Sequence, residues 1–276
     1  MSRLRISAIS YLNTAPLMWD FEQGDAGKDF EIAYTLPSQC AIALRESRAD
    51  IGIIPAAAYA TIPDLVILPG VAIASRQSVR SILLISKVPL NKIQSVGLDT
   101  SSLTSVALTK VLFAKKWELS PTFHSAEPNL EGMLSLHDAA LIIGDPALKI
   151  DRSHYETWDL AEEWICWTGK PFVFAFWAAR LDAVKESKLD LAAILQQSRD
   201  NGLTKNSIQR IVREWAPRLS LSEHVVRTYL TENIYYHLDT ACLEGLTTFY
   251  HYATECGVLP APPEVRFLQA ASAVTV

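Results

Sequence analysis

Between residues 32 and 54 the chain sets a short extended run, Ile32 to Leu36, then a helical segment from about Gln39 to Glu46. A second, wholly apolar run follows, Ile51-Gly52-Ile53-Ile54, bounded by Asp50 and Pro55. Two short strands separated by a helix pair in parallel through a right-handed crossover, so this unit assigns the chain to the α/β class. The helix start is marked chemically, because Pro37 cannot extend it backwards and Ser38 can supply its N-cap. Leu4 to Ile9 alternates apolar and polar residues and adds a strand ahead of the unit.

The pattern restarts further on. Arg80 to Ser86 reads as a strand running into a break at Lys87-Val88-Pro89, and Ser95 to Leu98 as another, followed by a turn at residues 99–102. Leu103 to Trp117 carries Leu103, Val106, Ala107, Val111 and Ala114 at helical spacing. Ala139 to Ile143 is a buried strand ended by Gly144, and Asp145-Pro146 opens a short helix, with Asp as N-cap and Pro at the first helical position. Phe172 to Ala178 is the last strand. From about Leu189 the chain is helical, in segments Leu189–Ser198, Lys205–Trp215, Ser222–Asn233 and Asp239–Cys256, the last stopped by Gly257. The sum is two α/β units followed by a helical tail that must return to one of them.

Charge narrows the roles. Lys and Arg number 25 against 30 Asp and Glu, a net charge of −5, and no basic run exceeds Lys115-Lys116, so no footprint for nucleic acid is present. The start lacks a signal-peptide core. The longest apolar stretches, such as Ile82 to Ile85 and Phe172 to Ala179, fall far short of the roughly 20 residues a membrane span needs, so no membrane partner is expected. Cys40, Cys166, Cys242 and Cys256 form no local pairing motif, which points to a reducing cytoplasm. Glycine-rich nucleotide loops and a Gly-x-Ser-x-Gly nucleophile turn are missing. None of His124, His137, His154, His224, His237 and His251 has a second His or Cys at ligand spacing, so neither a cofactor nor a metal is expected.

What remains is a set of hydroxyls and amides at the carboxyl ends of strands or the amino ends of helices. These are Tyr11-Leu12-Asn13, Pro37-Ser38, Ser78 and Ser81 around Arg80, and Thr100 to Ser105. Ligands gather there in open α/β sheets, and free backbone N–H groups favour an anion. Each has a plainer alternative. Ser38 and Ser101 or Ser102 serve equally as N-caps, worth about 1 kcal/mol without any ligand. Asp145 is explained by its helix start, Asn13 either closes a turn or offers its amide, and Arg80 either meets a substrate carboxylate or sits solvated at a strand edge.

The words themselves resemble a family. Ile9-Ser10-Tyr11-Leu12-Asn13-Thr14-Ala15-Pro16-Leu17, Leu36-Pro37-Ser38, the run Ala49 to Pro55, Gly70 to Ser75 and Ser78 to Leu84 are similar to the chorismate dehydratases of the futalosine route to menaquinone. So are Leu98 to Ser105, Leu141 to Leu148 and Pro171 to Trp177, in order from about residue 5 to 180 and more loosely beyond. The resemblance implies a two-lobed fold of the type II periplasmic-binding-protein kind, with two hinge strands, Arg80 to Ser86 and Phe172 to Ala178. Lobe 1 is then residues 1–86 and 177–276, with the helical tail packed on it, and lobe 2 is residues 87–176.

It further implies a cytoplasmic hydro-lyase that removes water from chorismate, a small dicarboxylate, to give 3-[(1-carboxyvinyl)oxy]benzoate, with a carboxylate of the substrate taking the proton. By position in the motifs, Asn13 and Ser81 inherit the catalytic roles. Ser38, Thr100, Ser101, Ser102, Thr104 and Asp145 inherit substrate binding, with no metal. Ala56-Ala57-Ala58 and Gln77-Ser78 depart from the family's pattern of polar residues after the third-strand proline and of Gly-Pro before Val79. Two other readings share the architecture: a non-catalytic solute-binding or sensory protein, and 1,4-dihydroxy-6-naphthoate synthase, for which a pocket histidine such as His124 is expected.

Overall fold

The computed structural model describes residues 3–185 and 187–269. Ten strands form two five-stranded sheets. The first contains β1 (Leu4–Ile9), β2 (Phe30–Thr35), β3 (Ile51–Pro55), β4 (Leu65–Ser75) and β10 (Phe172–Arg180), in the order β2-β1-β3-β10-β4. The second contains β5 (Ile82–Ser86), β6 (Ser95–Asp99), β7 (Thr122–Ala126), β8 (Ala139–Ile143) and β9 (Glu156–Asp159), in the order β7-β6-β8-β5-β9.

In each sheet four strands run in one direction and the fifth, β10 in the first sheet and β5 in the second, runs against them. β1 pairs in parallel with β2 and β3, while β10 runs antiparallel to β3 and β4. β6 pairs in parallel with β7 and β8, while β5 runs antiparallel to β8 and β9. The central strands β3, β5 and β8 are buried along their whole length, as covered sheets require, and the edge strands β2 and β7 are largely exposed.

The lobe boundaries differ from the expected ones. β5 is an inner strand of the second sheet and β10 an inner strand of the first, so the chain crosses through residues 76–81 and returns through residues 169–171. Lobe 1 is thus residues 3–75 with 172–269, and lobe 2 residues 82–168, rather than boundaries at 86/87 and 176/177; residues 270–276 lie outside the described ones. The apolar runs of β5 and β10 reveal burial but not which sheet buries them, hence the shift.

The tail also reaches further than lobe 1. The helix Leu191–Gly202 lies on β4, but the last helix, Thr240–Glu255, covers β10 and the helix Leu103–Val111 of lobe 2 as well. Phe249 meets the edges of Trp164 and Phe172, Tyr252 stacks on Trp167, and Lys115 pairs with Glu255 at 2.8 Å. One apolar core therefore runs through both lobes, with a small satellite around Leu83, Ile85 and Met133 on the other face of the second sheet.

Local chemistry explains several further differences. The helix Pro37–Arg45 starts on Leu36 with Pro37 in its first turn, so Ser38 lies inside it rather than capping it. Ser102 does cap the helix Leu103–Val111, taking the Ser105 N–H. Gly144, not Asp145, is the N-cap of Asp145–Leu148, which leaves the aspartate side chain free for another partner.

Candidate active site

The carboxyl ends of β1, β3 and β8, the start of β5 and the amino end of the Leu103–Val111 helix converge on the seam between the lobes. They enclose a cavity of about 410 Å³, part of it open to solvent. Its apolar walls include Ile9, Ile73, Ile82, Ile143 and Phe174; its polar lining is Tyr11, Asn13, Ser81, Ser102 and Ser105. Among the described residues no charged side chain lines it. A ligand carboxylate there meets hydroxyls, an amide and the unpaired N–H groups of a helix start, neutral donors that act strongly where water is thinned.

Asn13 and Ser81, one from each lobe's edge of the crossing, share a third partner. Tyr229 donates its hydroxyl to Ser81 Oγ at 2.9 Å. Burial pushes the Tyr229 phenol far above its ordinary range, against the opposing pull of its hydrogen bonds to Ser81 and Asn13. Because Ser81 Oγ accepts from Tyr229, its own proton is left to point into the cavity. The Ser81 backbone is pinned as well, its C=O accepting the Gly144 N–H at 2.8 Å. Tyr229 lies in the tail, 148 residues from Ser81.

Only part of the expected binding set reaches the cavity. Asn13, Ser81 and Ser102 line it; Ser38, Thr100, Ser101, Thr104 and Asp145 do not, and most of these are engaged across the lobe seam instead. The Ser38 N–H donates to the Ser101 C=O at 2.9 Å, and Thr104 Oγ1 accepts the Ala57 N–H at 3.0 Å. The Ala57 loop, whose lack of polar side chains stood out in the sequence, thus contributes through its backbone. Asp145 accepts the Leu12 N–H on both carboxylate oxygens, at 3.1 and 3.2 Å. Thr100 is exposed, and Ser101 Oγ is buried without a hydrogen-bond partner among the described residues. Tyr11 and Ser105, among the hydroxyls singled out in the sequence, line the cavity too, and Tyr229 is the addition.

Burial raises the Asp145 carboxyl from its ordinary 3.8 to about 6, the Leu12 N–H and Lys149 only partly opposing it. Between those two values the folded protein holds a proton that the unfolded chain has lost. The group therefore favours folding at low pH, and that contribution disappears as pH rises through 6. Asp145→Asn is expected to remove this term. Melting temperatures taken from pH 7 down to pH 5 should change less favourably in the variant than in the parent, and superimposable profiles would contradict the assignment.

Among the described residues no group of three or more His, Cys, Asp or Glu side chains could hold a metal ion, and no helix is long and apolar enough to cross a membrane. Among the described residues no histidine lines the cavity. His124 stacks on His137, with ring centroids 4.8 Å apart, at the edge of the second sheet.

Residues 4–255 match the family described as menaquinone biosynthesis. A chorismate dehydratase of Thermus thermophilus is 30% identical over 257 residues, covering 87% of this chain and 91% of that protein. Among solved structures, a protein of Archaeoglobus fulgidus superposes with a TM-score of 0.68 at 14% identity, over 93% of this chain and 98% of its own. The alkanesulfonate-binding protein SsuA of Xanthomonas axonopodis pv. citri, bound to MOPS, superposes with a TM-score of 0.66 at 16% identity, over 96% of each chain. At such identities these two likenesses establish the fold alone, which is that of the periplasmic binding proteins.

Proposed function

Since the chain belongs to the menaquinone-biosynthesis family, we propose that it is a chorismate dehydratase, a carbon–oxygen lyase acting in the cytoplasm. The reaction removes water from chorismate to give 3-[(1-carboxyvinyl)oxy]benzoate. One ring C–H and one ring C–O bond break, the electrons of the C–H bond become part of the aromatic ring, and the hydroxyl leaves with its bonding pair to form water. Aromatisation supplies the driving force, so the protein has to orient the ring and assist departure of the hydroxyl rather than provide a strong base.

The observation that carries this reading is the pairing of Asn13 and Ser81 in a cavity with no charged lining. Asn13 polarises the departing hydroxyl through its amide. Ser81, held as an acceptor by Tyr229, directs its O–H to the enolpyruvyl carboxylate. That carboxylate then takes the ring proton, a role open to it because no protein carboxylate or imidazole competes at the wall. Ser102, Ser105 and the helix start behind them hold the second carboxylate.

The absence of a histidine from the lining disfavours the 1,4-dihydroxy-6-naphthoate synthase reading. Incubating the purified protein with chorismate and following the aromatic product by chromatography tests the proposal. Tight binding with chorismate recovered unchanged would favour the solute-binding alternative instead.

A further inference from the structure

Tyr229, whose hydroxyl reaches Ser81 of the cleft, also lines a second cavity of about 580 Å³, part of it open to solvent, together with Arg80, Leu148, Ile150, Asp151, Arg152 and Val225. Two guanidinium groups share it, and among the described residues neither Arg80 nor Arg152 forms an ion pair. They are held together despite their like charge. Arg152 donates to the Arg80 C=O at 3.2 Å, and the Arg80 backbone is fixed in the left-handed region at φ +65°. Asp159 secures that conformation by accepting the N–H groups of Val79 at 3.1 Å and Arg80 at 2.6 Å.

Three carboxylates stand near this pair: Asp159 and Glu162, both close enough to act on the Arg152 charge, and Asp151 in the cavity lining. Asp159 is buried and its oxygens are already occupied by the N–H groups of Val79, Arg80, Ala161 and Glu162. Asp151 stands at the exposed rim, where it accepts the Ser153 N–H and lies 4.0 Å from His154. None of the three bonds to a guanidinium among the described residues, so apart from the Arg152 N–H given to the Arg80 C=O the two forks keep donors to spare, and two forks in one concave site suit the oxygens of a single small anion.

We propose that this cavity is a second binding site, distinct from the cleft, for a small dianion whose oxyanion oxygens are shared between Arg80 and Arg152. It adjoins the candidate active site through shared residues: the ring that lines it belongs to the tyrosine that holds Ser81, and Arg80 is the residue next to Ser81. The shared ligand chemistry is a paired oxyanion, from either a phosphate or a dicarboxylate.

The test follows the arginine Nε–H signals of the full-length, ¹⁵N-labelled protein by NMR while titrating inorganic phosphate in one arm and isophthalate, a rigid dicarboxylate, in the other, at constant ionic strength. Saturable shifts of the Arg80 and Arg152 signals are expected in at least one arm. Response to phosphate alone identifies a phosphate-type ligand, response to isophthalate alone a dicarboxylate, and response to both the shared oxyanion chemistry. Arg152→Gln should weaken the affinity at least tenfold as read on Arg80, while Ser81→Ala should leave it unchanged. No shift at either arginine with both anions, or shifts that persist at equal affinity in Arg152→Gln, would overturn the proposal. The first of these outcomes needs no variant, so a poorly folding substitution cannot shield it.

Discussion

Replacing Ser81 by alanine is expected to lower kcat for chorismate dehydration by about 10²- to 10³-fold, the range seen when one preorganised donor is taken from a site where charge develops. The side chain is buried, lines the cavity and receives the Tyr229 hydroxyl, so its removal deletes the donor facing the substrate carboxylate and also strands a buried phenol. The second effect costs about 1–3 kcal/mol of stability. Asn13→Ala should match the kinetic loss. Tyr229→Phe, which keeps Ser81 but frees its rotor, should lose less, about tenfold, with kcat falling more than KM rises. Steady-state rates and melting temperatures of the three variants decide the matter: near-normal turnover in Ser81→Ala or Asn13→Ala would remove those residues from the chemistry.

Gly144→Ala is expected to be nearly as damaging, for a different reason. Gly144 sits at φ +68°, ψ −151°, a conformation open in practice only to glycine and costing other residues about 1–3 kcal/mol. A Cβ at this position would also lie 2.7 Å from the ring of Tyr11, which reaches over from lobe 1. The alanine would push the ring out of the seam and disturb the Gly144 N–H that holds the Ser81 C=O. A loss in kcat/KM of about 100-fold is expected, from misplacement rather than from a missing group. Adding Tyr11→Ala should recover part of it by vacating the space. If Gly144→Ala performed like the parent, or the second substitution gave no relief, the seam would not be set by this contact.

Much of the architecture was legible from short-range signals. β3, β8 and β10 are buried apolar runs, Ser102 is a capping serine, and the long last helix carries an apolar stripe; each records its own surroundings locally. The strands that escaped notice are those whose residues do not. β7 and β9 lie at sheet edges and are largely polar, while β4 contains Pro69 and Gly70 in mid-strand, residues that ordinarily end an extended run.

At the site, Asn13 and Ser81 were reached through motif resemblance, and both lie on the cavity wall. Tyr229 carried no local sign, because a helix deep in the tail gives no hint of which distant hydroxyl it will meet. Asp145 read as a cap and a binding residue, yet it spans the seam to Leu12, since the turn preceding it places Gly144 at the helix start.

The last helix, with Phe249 against Trp164 and Phe172 and with Glu255 on Lys115, ties the lobes together in addition to the seam bonds from Ser38, Ala57 and Leu12. Any parting of the halves has to strip this helix from one of them, because it packs on β10 of the first lobe and on the Leu103–Val111 helix of the second.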